Sequence, residues 1–414
     1  METARSYDIS KQVVWDAYKR VKANRGSAGV DRQSIEDFER GLKDNLYKIW
    51  NRMSSGSYFP PEVRTVPIPK KSGGTRILGI PTVVDRVAQM VVKIYLEPKV
   101  EPHFHQDSYG YRPKKSAKQA VAVTRKRCWE YDWVLEFDIK GLFDTIDHEL
   151  LMRVVRKHTE IKWILLYIER WLKAPFRNED GTMTERIAGT PQGGVVSPLL
   201  ANMFLHYVFD QWMTRKYSQN PFARYADDGV IHCRGESEAN VIHEVLACRF
   251  RECKLALQPE KTKIVYCKDE KRRGDHTHIT FDFLGFTFKA RRSMSKYGMF
   301  MNFAPGVSNK AATLMRQKIR RWNIHLRSDK SIEELAQFIN PIIRGWINYY
   351  GSFYKTALYP TLQNVNYRLE RWGMRKCKRL KSRRQRAKYW LGCVARKNPN
   401  LLAHWQMGAK PAAG

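Results

Sequence analysis

Three aspartates offer the most distinctive chemistry in this chain. Asp227 and Asp228 are adjacent in FARYADDGVIHC (residues 222–233), and Asp138 lies in WVLEFDIKGLFDTIDHELL (residues 133–151). Two touching carboxylates repel, and in a half-buried hairpin they also lose water, so the pair requires a metal, a proton or solvent. Taken alone, Ala-Asp-Asp-Gly reads as a solvent-exposed Asp-Gly turn. Two acid-bearing strands paired in one sheet change that reading, because their oxygens converge as a donor set suited to hard Mg²⁺. Two such ions ~3.5–4 Å apart hold the attacking 3′-hydroxyl and the leaving oxygen of an in-line displacement at phosphorus. The chemistry implied is nucleotidyl transfer.

Local patterns supply the elements that must carry these acids. Trp133, Leu135, Phe137 and Ile139 alternate onto one face of a predicted strand, which turns Glu136 and Asp138 to the other. Asp144 or Asp147 suits the N-cap of the helix that follows near Leu150, a role that does not extend to Asp138. The Asp227–Asp228 segment is predicted as a tight turn around the acid pair, with Gly229 supplying a positive φ. Upstream, RTVPIPK and TRILGIP flank KSGG as a hairpin with a basic tip. Val13, Val14, Ala17, Tyr18 and Val21 form one stripe of an N-terminal helix that RGSAGVD ends, without the ending of a phosphate-cradling P-loop. Gln192 precedes Gly193 and Gly194, whose bare backbone suits close approach to a base pair or sugar, and Ser197 and Pro198 read as N-cap and N1 of the next helix. After residue 300 the chain reads as helical, with a capping box from Ser331 to Glu334.

Charge narrows the partner. The 414 residues carry a net charge of +33. A polyanion is implied, nucleic acid first and an anionic membrane surface second. From Arg291 onward there are 26 Lys and Arg against four acids, and residues 371–388 hold ten cations and no acid. Aromatics interleave with these cations; we read the rings as core and the acid-free stretch as a surface for RNA phosphates. The seven cysteines include no CxxC pair, which fits reduced packing thiols. The N-terminus lacks the apolar core of a signal peptide, and no stretch approaches the eighteen or so apolar residues of a spanning helix. The expectation is a cytoplasmic protein, bacterial or archaeal rather than organellar, with no membrane partner.

These motifs also form an ordered set. FDIKGLFD, TPQGGVVSPLLANMFL, RYADDGVIHC, LALQPEKTKIV and FDFLGFTF resemble, in order and spacing, the group II intron reverse transcriptase/maturase family. RTVPIPKKSGGTRILGIPTVVDRVAQ and FHQDSYGYRPKKSAKQAV are similar to its fingers, NRGSAGVD to its N-terminal extension, and PIIRGWINYYGSFY to its thumb and domain X. The resemblance implies an α+β polymerase right hand: fingers, a palm built on an antiparallel sheet with packed helices, and a helical thumb. The expected divisions are residues 1–60 for the extension, 61–300 for fingers and palm, 301–370 for the thumb, and 371–414 for a basic RNA-binding part.

Residue by residue, the resemblance makes Asp138, Asp227 and Asp228 the catalytic metal ligands for two Mg²⁺ ions, with Mn²⁺ as a substitute. It places Lys70 and Arg76 at the incoming triphosphate, Phe143 under the sugar and Gln192 beside the nucleotide. Lys261 falls near the departing pyrophosphate, as general acid or as simple charge. Arg112 is assigned to template or backbone contact and Tyr225 to the primer end or to packing, while Arg375, Lys376, Arg383 and Arg384 are assigned to RNA. The implied partners are an RNA template, a DNA or RNA primer, deoxynucleoside triphosphates and a structured intron RNA. Oligomeric state is not readable, a homodimer being one option. The chain has no paired-cysteine endonuclease region after domain X, so DNA cleavage by this polypeptide is not expected. Two other functions fit the same residues: a splicing cofactor with a dispensable polymerase site, and a domesticated reverse transcriptase used in defence or repair.

Overall fold

The structure, a computed structural model, describes residues 7–69 and 74–411. The chain divides into two compact units, residues 1–120 with 135–263, and residues 121–134 with 264–414. The expected boundaries at 300 and 370 do not coincide with this division. Both fall inside continuous elements, the strand Gly298–Val307 and the helix Tyr359–Lys376, so no linker separates the parts there.

In the first unit, helix Lys11–Asn24 buries Val14, Ala17, Tyr18 and Val21, the stripe its sequence predicts. The strands Val63–Pro69 and Thr75–Ile80 form the expected antiparallel hairpin, pairing from Arg64 with Ile80 to Pro69 with Thr75. Strand Trp133–Asp138 lies beside Asp228–Cys233, which pairs antiparallel with Phe222–Tyr225. Helix His148–His158 is capped by Asp147, whose carboxylate accepts from the Leu150 amide at 2.9 Å. Asp144 instead sits in the short helix Leu142–Thr145. Helix Ser197–Leu205 begins one residue earlier than its Ser-Pro start suggests, and the Ser197 hydroxyl accepts from Thr190 rather than capping.

A polar knot sits inside this unit. Asp85, in helix Val83–Val100, accepts from the Tyr58 hydroxyl and the Trp171 indole, each at 2.6 Å, and from Gln89 at 2.9 Å. Gln89 in turn accepts from the Val195 amide at 2.7 Å, fixing the loop that leads into helix Ser197–Leu205. Burial pushes the Asp85 carboxyl up to about 6, and the three donated hydrogen bonds only partly oppose it. The folded value lies above the unfolded one, so this contribution is complete below about pH 4 and is lost as pH rises through 6. Its size is about 3 kcal/mol. Urea unfolding of Asp85→Asn and the parent at pH 4 and pH 7 checks this: the difference between them should move by about that amount in favour of the variant. A difference that does not change with pH would refute the assignment.

The second unit contains a three-stranded sheet in the order Gly298–Val307, Phe286–Ser295, Phe281–Phe283. Helices Asn309–Arg321, Ile332–Tyr350, Tyr359–Lys376 and Arg384–Lys397 share one core that includes Ile319, Ile339, Leu362, Leu369, Leu391 and Trp405. The Ser331 capping box is formed as its sequence predicts: the Ser331 hydroxyl accepts from the Glu334 amide, and Glu334 accepts from the Ser331 amide at 2.8 Å. Among the described residues no helix is long and apolar enough to cross a membrane.

Candidate active site

Strand Trp133–Asp138 ends on Asp138, and the Ile139 amide that follows donates to the carbonyl of Asp227 at 3.2 Å. This bond seats the acidic hairpin against the end of the strand. The turn itself differs from expectation. Tyr225 pairs with Asp228, so the two linking residues are Ala226 and Asp227, and the positive φ of 56° belongs to Ala226. A positive φ at the first linking position is the type II′ arrangement, which follows the twist of the flanking strands. Gly229 lies within the strand, where an added Cβ would stand 2.2 Å from the ring of buried Phe137. Its small size serves close packing, not the turn.

The three acids meet. The carboxyls of Asp138 and Asp228 share a hydrogen bond. Burial, that bond and the charge of Asp227 push Asp228 up to about 8. Asp227 is also raised, by burial first and then by the charge of Asp138. Lys261 reaches into the cluster, donating to Asp138 Oδ2 at 2.6 Å. Burial lowers its pKa, but the bond and the three carboxylates outweigh this and raise it. The pull of Asp228 toward its protonated form and the ammonium of Lys261 offset part of the negative charge of the three acids.

Among the described residues, no group of three or more His, Cys, Asp or Glu is placed as a ready-made metal-ion site. The donors still fit a hard divalent cation. The Asp138 and Asp227 charges both act on Asp228, oxygen is the sole ligand type, and Asp227 and Asp228 are both pushed toward protonation, as in a site short of positive charge.

Around the acids, Phe143 is buried directly after Leu142, and its ring meets Tyr111 edge to face at 6.3 Å. Tyr111 is 51% exposed, has a φ of 56°, and is tilted against Tyr225 at 6.3 Å. A positive φ on an aromatic residue is strained, and such strain concentrates at functional sites. The Arg76 guanidinium bonds to Gln192 Oε1, while Gln192 Nε2 lies 3.4 Å from both oxygens of Asp144. Of these residues, Arg76 lies near enough to oppose the rise in the pKa of Asp227, and burial, then the charges of Asp227 and Asp228, raise that of Tyr111.

Lys70 lies outside the described residues. Two other sequence expectations are corrected. The Arg112 side chain is 5% exposed; its guanidinium bonds Glu101 and the carbonyls of His105 and Ser108 and lies over Phe104, so it ties a loop together rather than facing a template. The glycines after Gln192 answer to packing within the protein. An added Cβ on Gly193, whose φ is 130°, would lie 2.4 Å from the Gly79 carbonyl oxygen, and one on Gly194 would meet the Ser197 hydroxyl.

In the second unit Arg375, Lys376, Arg383 and Arg384 are all exposed. Lys376 donates to the carbonyls of Ser328 and Lys330 at 3.1 and 2.7 Å, which gives it a tethering role. Arg384 lies over the Tyr367 ring at 5.3 Å, and Arg383 precedes helix Arg384–Lys397.

Comparison with known proteins identifies the family of the chain. Residues 68–288 match the family described as reverse transcriptase (RNA-dependent DNA polymerase), and residues 312–390 match the group II intron, maturase-specific domain. Protein YkfC of Escherichia coli is 31% identical over 310 residues, covering 65% of this chain and 77% of that protein. The group II intron-encoded protein LtrA of Lactococcus lactis is 34% identical over 203 residues, covering 48% of this chain and 33% of LtrA. A solved telomerase from Candida albicans, in complex with a fragment of telomeric RNA, overlays with a TM-score of 0.48 at 11% identity, over 90% of this chain and 67% of that one.

Proposed function

The chain belongs to the reverse transcriptase (RNA-dependent DNA polymerase) family and carries a group II intron maturase-specific region, and from that premise we propose that it extends a primer 3′-end with deoxynucleotides on an RNA template and also binds structured intron RNA. The observation that carries the polymerase reading is that Asp138 and Asp228 interact directly, both feel the charge of Asp227, and Lys261 bonds Asp138.

Asp138 and Asp227, with Asp228 beside them, would hold two Mg²⁺ ions, and Mn²⁺ would suit the same oxygens. Bound there, the ions would supply charge stabilisation for in-line displacement at phosphorus. The protein's own groups perform the rest. Lys261 stands where an ammonium can neutralise charge on the departing pyrophosphate or give it a proton. Arg76 presents a planar fork suited to phosphate oxygens and is aligned by Gln192. Phe143, held in place by burial, would meet a 2′-hydroxyl with its ring and so favour deoxynucleotides. Tyr225, partly buried on the hairpin, would flank the primer end.

For the RNA-binding function we assign the exposed Arg375, Arg383 and Arg384 to phosphate contact. The match to a maturase-specific domain over residues 312–390 and the absence of any acid from 371 to 388 support this.

A primer-extension assay with Mg²⁺, one labelled primer and matched RNA and DNA templates tests the proposal. Deoxynucleotide addition on the RNA template is expected. An active, folded preparation that extends only on DNA, or on neither template, would overturn it.

A further inference from the structure

Beneath the acidic turn lies a buried ionic centre that the proposed mechanism does not use. Arg224 and Asp210 are both fully buried, and every N–H of the guanidinium is satisfied. Nε donates to Asp210 Oδ1 at 2.7 Å and Nη2 to Asp210 Oδ2 at 2.7 Å. Nη2 also donates to Ser108 Oγ at 2.8 Å, and Nη1 donates to Asn202 Oδ1 at 3.2 Å and to the Ala226 carbonyl at 3.1 Å. Asn202 passes the connection on, donating to the Gly110 carbonyl at 2.7 Å. The backbone of Arg224 is held as well: its amide donates to Asp107 and its carbonyl accepts from Tyr109.

A buried ion pair is not a general source of stability, since apolar residues of equal volume hold a core as well or better. This one is built at some structural cost. Asp210 ends the π-helical segment His206–Asp210, and a π-turn is an uncommon distortion that concentrates at functional sites. The one side-chain bond from Arg224 to the rest of its own hairpin goes to the carbonyl of Ala226, the linking residue with positive φ immediately before Asp227. We propose that Arg224, anchored by Asp210, is the positioning residue of the acidic turn: it holds the Ala226 carbonyl and thereby sets where Asp227 and Asp228 present their carboxylates. Ser108 and Asn202 complete its coordination and bind the Ser108–Gly110 segment to the same centre. This inference rests on the polymerase reading above.

Arg224→Lys tests it. Lysine keeps the charge beside Asp210, but a single ammonium cannot reach Asp210, Ser108, Asn202 and the Ala226 carbonyl together. The expected result is a 10–100-fold fall in kcat for primer extension, roughly the effect of removing a partner that orients metal ligands. The KM for deoxynucleotide should stay within about threefold, since the nucleotide contacts are untouched. Mn²⁺ binding to the nucleotide-free protein, read by electron paramagnetic resonance, should weaken in parallel. Should Arg224→Lys fail to fold, Asn202→Ala removes one acceptor while leaving the ion pair, and the same shifts in smaller degree are expected. Parental kcat and Mn²⁺ affinity in a folded variant would overturn the proposal. So would a loss of kcat that only follows the loss of folded protein, with Mn²⁺ affinity per folded molecule unchanged. Absence of primer extension by the folded parent protein would instead sink the polymerase reading, and Mn²⁺ affinity would still report on the turn.

Discussion

Replacing Asp227 with alanine should lower the rate of primer extension by about 10³-fold or more, while RNA affinity stays within about twofold. With Asp138 and Asp228, this carboxylate is proposed to hold divalent cations, and such ions stabilise transition-state charge by several kcal/mol, each ~1.4 kcal/mol being tenfold in rate. Folding should survive the change. Asp227 sits in a two-residue turn, its backbone carbonyl rather than its side chain receives the Ile139 amide, and its charge is one of the causes that push Asp228 upward. Removing a repelling charge relieves the cluster. Steady-state primer extension beside filter binding of the same RNA checks both halves. A variant that extends within tenfold of the parent would remove Asp227 from catalysis.

The second large effect concerns salt. RNA affinity should fall by about 10³–10⁵-fold between 50 and 200 mM monovalent salt, the loss for a protein making about six to ten phosphate contacts. The ten cations from 371 to 388, unbroken by any acid, are the source of most such contacts, and Arg375, Arg383 and Arg384 are exposed among them. Arg383→Ala and Arg384→Ala should each reduce the slope of log affinity against log salt by about one. Lys376→Ala should have little effect on that slope, because its ammonium is engaged with the Ser328 and Lys330 carbonyls. Binding that ignores ionic strength would contradict the charge argument.

Much of this was legible in the residues. Alternation placed Asp138 on its strand, the capping box fixed the start of helix Ile332–Tyr350, and two apolar runs around a basic tip gave the hairpin of Arg64 to Ile80. These are local patterns whose periods report directly on backbone geometry. What escaped notice depends on tertiary neighbours. Arg112 has the type and setting of a phosphate ligand, yet Glu101 and two carbonyls lie within its reach in the folded chain. Gly229 follows two aspartates, the usual mark of a turn, but the bulk of Phe137 on the adjacent strand decides its use. The Arg224–Asp210 pair spans fourteen positions and needs a π-turn that no periodicity announces. A signal was present all the same: an arginine inside an otherwise apolar strand must find a buried partner.

One contact from the fold bears on how nucleotide arrival would be felt. The Gly79 amide, on the strand that carries Arg76, donates to the Gln192 carbonyl at 3.0 Å, and Gly193 packs against the Gly79 carbonyl with no room for a side chain. Two residues from chain segments more than a hundred positions apart are thereby joined as one lever. A swing of the hairpin toward a triphosphate would carry Gln192 with it and, through Gln192, act on Asp144, so that on the proposed reading sensing of the phosphates and adjustment beside Phe143 would be one mechanical event.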